Sequence, residues 1–144
     1  VDAVDIADAI VHEAIHALLY MQEQKKSWVY DPDLCKPIPR VVSPWTGRHL
    51  ALRPFLQACF VWYGLLHFWC LALSAGAFDS ARIRERIVRS GIGFWDKPLL
   101  DYIDSYKAAL CPDLLKAIQE MQSIVNDAFA STFSTEKIKV DMGA

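Results

Sequence analysis

The chain opens on a helical pattern over residues 2–24. Asp2, Asp5 and Asp8 occupy its first turns, where carboxylates meet the positive end of the helix dipole. Lys25 and Lys26 suit its C-terminal end. Val11, Ala14, Ile15, Ala17, Leu18 and Leu19 are all uncharged, which predicts a buried helix. Residues 27–52 lose the period. Pro32, Pro37, Pro39 and Pro44 are excluded from a helix interior, so this stretch is predicted to be irregular. Trp28, Tyr30 and Trp45 should hold it down on the core. A connection of this length favours a role in lining a site.

Residues 54–78 contain no charge. Pro54 suits a first helical position, and the run is long enough to span a bilayer. Gln57 and His67 interrupt it, and arginines flank it on both sides, so the reading favours the central helix of a bundle over a membrane span. Asp79 or Ser80 can cap a helix ending near Ser90, with Gly91 as its stop. Arg82, Arg84, Arg86 and Arg89 form no single stripe and read as a solvated face. Residues 98–110 and 112–130 both show helical spacing, with Pro112 at a first position. From Ser131 the tail is expected to fray, with Ile138 and Val140 able to pair as a short strand. The sum is one all-α domain over residues 1–144. About five helices should surround the first helix and the central apolar one.

Composition narrows the function. A chain of 144 residues with 53% hydrophobic residues can bury a useful core, and a net charge of −2 gives no case for nucleic-acid binding. Cys35, Cys59, Cys70 and Cys111 form no CxxC pair. On one helix Cys59 and Cys70 would stand about 16 Å apart along the axis, too far to bond. Four free thiols and no signal-peptide pattern suggest a cytoplasmic setting. The first residue is Val rather than Met, so a missing N-terminal region or a partner subunit is an open expectation.

The chemistry concentrates in His12-Glu13-Ala14-Ile15-His16, an HExxH sequence. Histidines four apart share a helix face and can aim at one metal ion, and Glu13 could handle a proton on a metal-bound water. Two histidines do not complete a site. Leu19 and Gln22 stand where a metzincin would have Gly and His. Glu23 is too close along the same helix to serve as a later carboxylate ligand, and Glu85 sits between arginines. His67, in the apolar helix, and His49, on the loop, are the candidates for third ligand. Gln57 could hold a water, a substrate amide or the metal. Histidines with open positions also suit non-haem iron. Iron sites of that type often take 2-oxoglutarate, whose far carboxylate wants an arginine fork; Arg40, Arg48 and Arg53 lie in the right stretch.

Val11-His12-Glu13-x-x-His16, Ser43-Pro44-Trp45 with Arg48, Arg53-Pro54-x-Leu56-Gln57-Ala58 and Phe68-Trp69 together resemble the HExxH-motif peptide-modification proteins. These are encoded with ribosomally made precursor peptides, and some are similar to iron- and 2-oxoglutarate-dependent β-hydroxylases. The resemblance covers roughly residues 8–72. Some members have histidine near the position of Gln57, where this chain departs from them. The resemblance implies an Fe(II)/2-oxoglutarate oxygenase acting on a precursor peptide. His12 and His16, with His67 or His49, would be metal ligands, Glu13 would orient a ligand water, and Arg48 or Arg53 would hold the co-substrate. The alternatives are a zinc-dependent peptidase with Glu13 as general base and a non-catalytic helper that binds a peptide or partner.

Overall fold

A computed structural model describes the backbone of residues 2–143 and the side chains of residues 2–129. Four α-helices carry the structure: α1 (Ala3–Lys25), α2 (Leu52–Ala75), α3 (Ser80–Gly91) and α4 (Pro112–Gly143). The architecture is all-α. Among the described residues the single sheet is a two-stranded antiparallel ribbon, β1 (Val41–Val42) with β2 (His49–Leu50), in the segment expected to be irregular.

Local chemistry explains the boundaries. Asp2 caps α1 by accepting from the Asp5 N–H, and the Asp5 carboxylate returns the bond to the Asp2 N–H. α2 begins two residues earlier than Pro54 suggests. Its first N–H groups have no helical acceptor, so proline at the third position loses nothing. Gly76, in the left-handed region at φ 65°, ends α2. α3 ends at Gly91 as expected, though in a right-handed rather than left-handed conformation, and the backbone tightens there into a 3₁₀ turn over Ile92–Phe94. Residues 99–109 also form 3₁₀ turns, interrupted at Ile103. α4 runs on through the tail expected to fray, so Ile138 and Val140 lie on helix rather than strand.

The core gathers on α2. Leu52, Phe55, Leu56, Cys59, Leu65, Leu66 and Trp69 are fully buried, together with Ile83, Leu99, Ile103 and Ile118 from the surrounding elements. Fully burying a side chain of this size is worth roughly 1.5–3 kcal/mol. α2 is long and apolar enough to cross a membrane by length and composition; here it packs against α1, α3 and α4. Gly64 lets α1 come close, because a Cβ there would lie 2.5 Å from Ile15 Cδ1.

α1 is not the buried helix its composition predicts. Only Val4 and Leu19 are buried, while Ile6, Ile10, Leu18 and Met21 are exposed along the outer side. Among the described residues its main packing partner is α2.

The long segment between α1 and α2 is anchored at both ends. Tyr30 N–H donates to Ala109 O (2.8 Å) and Cys111 N–H to Trp28 O (2.9 Å), which ties it to the start of α4. Trp45 stacks on Trp62 and packs edge-on to Phe94, and its indole N–H donates to Ser90 O (2.9 Å). Gly93 passes so close under the Trp45 ring that a Cβ would overlap it. The Ser-Pro-Trp turn is thus a structural anchor. Ser43 Oγ accepts from the N–H groups of Trp45 and Thr46.

Candidate metal centre

α1 sends His12, His16 and Glu23 from one side, at i, i+4 and i+11, toward the N-terminal half of α2. A hydrogen-bonded chain runs across that interface. Arg53 Nε donates to Glu23 Oε2 (3.0 Å), and Arg53 Nη2 donates to the same oxygen. Gln57 Nε2 donates to the other oxygen, Glu23 Oε1 (2.8 Å). His16 Nδ1 lies 2.6 Å from Gln57 Oε1, and His16 Nε2 lies 3.1 Å from His12 Nε2.

Chemistry sets the proton positions. Glu23, paired with a guanidinium, offers acceptors only, so the NH₂ end of Gln57 must face it. The carbonyl end of Gln57 then faces His16 and can only accept. This arrangement calls for a proton on His16 Nδ1, and in the neutral ring Nε2 is then an acceptor facing His12 Nε2. Two imidazole nitrogens bound about 2.0–2.1 Å from one metal would stand roughly 2.9–3.4 Å apart between octahedral and tetrahedral angles. The 3.1 Å separation falls within that window. The same separation is that of a direct hydrogen bond between the two rings.

The pair opens on a cavity of about 450 Å³. Tyr20, one turn beyond His16, forms part of its wall with Cys35, Pro37 and Leu50, and α2 contributes Arg53, Pro54, Gln57, Ala58, Val61 and Trp62. The walls are mostly apolar, and Arg53 is the one Lys or Arg among the lining residues. A second hollow of about 350 Å³ adjoins it, sharing Tyr20, Cys35 and Arg53.

The other expected site residues stand elsewhere. His67 is exposed and packs edge-on to Tyr63, with ring centroids 4.4 Å apart. Ten residues beyond Gln57 on the same helix, it lies about 15 Å further along the axis, and it does not line the cavity. His49 and Arg48 are exposed on the ribbon, outside the cavity. Glu13 is exposed and also absent from the lining, since one residue past His12 the helix has turned by about 100°. Gln57 is buried with both ends of its amide already engaged, so it is no free substrate contact. Arg53 does line the cavity, with part of its fork committed to Glu23. Among the described residues, no group of three His, Cys, Asp or Glu side chains is arranged to hold a metal.

Sequence reasoning missed Glu23 as a member of the site. It discounted the residue as a direct ligand because of its closeness along α1, and Glu23 in fact reaches His16 only through Gln57. Its i+7 spacing from His16 was the available signal, because two turns return a residue to the same face. Cys59 is fully buried, and that burial pushes its thiol well above the usual range, so it belongs to the core. The four cysteines are free.

No family model, curated protein or solved structure matches the chain.

Proposed function

We propose that the chain is a non-haem Fe(II)/2-oxoglutarate-dependent oxygenase that hydroxylates a side chain of a ribosomally made precursor peptide. The observation that carries this reading is the convergence of two histidine Nε2 atoms, 3.1 Å apart, at the edge of an open cavity of about 450 Å³. Two protein ligands would leave several positions for a chelating co-substrate and water, unlike a closed four-ligand structural zinc site.

The residues take these roles. His12 and His16 hold the metal through Nε2. Gln57 holds the His16 ring and its tautomer. Arg53 is the cation that the cavity offers to a carboxylate, through the N–H groups not given to Glu23. Pro37, Leu50, Pro54, Val61 and Trp62 form apolar walls that would exclude water and hold a side chain. Iron, when bound, supplies the oxygen activation that none of these side chains can perform.

The zinc-peptidase alternative is less well supported. It needs a glutamate at the metal-bound water, and Glu13 stands outside the cavity.

The test is anaerobic titration of metal-free protein with iron(II) and 2-oxoglutarate, read by the visible charge-transfer band of the chelate. The expected result is a band that needs both components and disappears in His12→Ala. No band, with zinc retained through purification, would overturn the oxygenase reading in favour of a hydrolase. No band and no metal of any kind would leave a non-catalytic peptide- or partner-binding helper.

A further inference from the structure

We infer that Glu23 is the positioning residue of this site, acting through Gln57 to keep the His16 Nε2 lone pair free for a metal ion. The inference rests on the metal-centre reading above, but not on the identity of the metal or of any co-substrate.

Each link has one physical consequence. Arg53 spends two N–H donors on Glu23 Oε2, so that oxygen is an acceptor held in place. Glu23 Oε1 then takes the Gln57 NH₂ at 2.8 Å. Turning the amide over would set carbonyl against carboxylate, two acceptors face to face. The 2.6 Å approach of Gln57 Oε1 to His16 Nδ1 therefore requires the proton on Nδ1. Without that proton the two atoms would repel. The chain of four residues thus transmits one bit of information: which nitrogen of His16 is bare.

Burial makes the arrangement strict. The Glu23 side chain is 8% exposed and Gln57 is 4% exposed, so water does not readily replace either partner. A carboxylate this buried costs desolvation free energy and stabilises little by itself. An ion pair that merely stapled α1 to α2 would not need the second carboxylate oxygen to orient an amide beneath a histidine. Outer partners of metal-bound histidines typically change metal affinity by roughly 10–100-fold when removed.

Two measurements test the inference. The first needs no metal: long-range 1H–15N correlation on 15N-labelled, metal-free protein assigns the proton on His16. The wild type should show Nδ1–H. Glu23→Gln keeps the shape but provides both a donor and an acceptor, so the amide of Gln57 can turn and the His16 tautomers should mix. The second is cobalt(II) titration followed by its visible absorption. Affinity should fall about 10-fold or more in Glu23→Gln, and Gln57→Met should reproduce the loss with Glu23 intact. Thermal unfolding of the metal-free variants separates positioning from damage, since a positioning role leaves the melting temperature nearly unchanged. Nε2–H in the wild type, or unchanged tautomer and cobalt affinity in both variants, would overturn the inference. Correct tautomers with no cobalt binding in the wild type would overturn the metal-centre reading while the positioning chain stood.

Discussion

The two halves of α1 each meet the rest of the bundle through a polar network, and the networks end differently. In the N-terminal half, Arg82 reaches Asp2 and Asp5 at 3.1 Å, Arg86 pairs with Asp5 and approaches Asp8 at 3.7 Å, and the Trp69 indole N–H donates to Asp8 at 2.9 Å. Each of these groups finds a partner of opposite kind. In the C-terminal half, Arg53, Glu23, Gln57 and His16 form a similar chain, but it finishes in two nitrogens that face each other beside a cavity. A closed network fixes how two helices sit. The second network ends at two ring nitrogens beside the cavity, with no carboxylate or guanidinium to close it. The arginines of α3 that read as a solvated face thus belong in part to the closed network, and the Arg86 side chain is 13% exposed.

The largest effect on stability should come from the closed network. Asp8→Ala strips the buried Trp69 N–H of its acceptor and Arg86 of one partner, which should cost about 2 kcal/mol and lower the melting temperature by roughly 4–8 °C. Differential scanning calorimetry checks this; an unchanged transition would show that the network is not structural. The corresponding break at the open end should be smaller. His16→Leu leaves the Gln57 carbonyl without a donor but adds apolar area beside the cavity, so stability should move by less than about 1 kcal/mol while metal binding is lost. A drop as large as that of Asp8→Ala would erase the distinction between the two networks.

The smallest effect concerns pH. The Asp5 N–H, then the Arg82 guanidinium, hold the Asp2 carboxyl down to about 2. Because this value lies below that of an unfolded aspartate, near about 3.9, Asp2 stabilises the fold fully above that pH. Its contribution fades as pH falls toward about 2. The difference in melting temperature between wild type and Asp2→Asn should be modest at neutral pH, shrink below about pH 4, and vanish near pH 2. A difference that persists at the acid end would mean that the capping geometry, not the charge, carries the effect.

Legibility followed range. The HExxH face was readable because it lies within one helix, where spacing alone fixes which side chains meet. His67 was expected as a third ligand, but ten residues along α2 carry its side chain both away from Gln57 and around the helix, and it does not line the cavity. Glu13 was expected at the metal because it lies inside the HExxH motif. Its exposure depends on which side of α1 the cavity occupies, and that side is set by Tyr20, Pro37, Leu50 and the start of α2. Arg53, expected to hold a co-substrate, lines the cavity, and its main partner is a carboxylate of this same chain.

By itself, the sequence determined the helices, the all-α class and the shared face of His12 and His16. These depend on periodicity and capping within about one or two turns of chain. Tertiary structure decided which polar groups ended with partners and which did not. Gln57 became a strut rather than a ligand because Glu23, 34 residues earlier in the chain, arrived at its amide. Ile6, Ile10, Leu18 and Met21 on the outer side of α1 stayed exposed, because among the described residues nothing covers them. A side chain's type limits the bonds it can make, and only the packing of distant segments determines which of those bonds are formed.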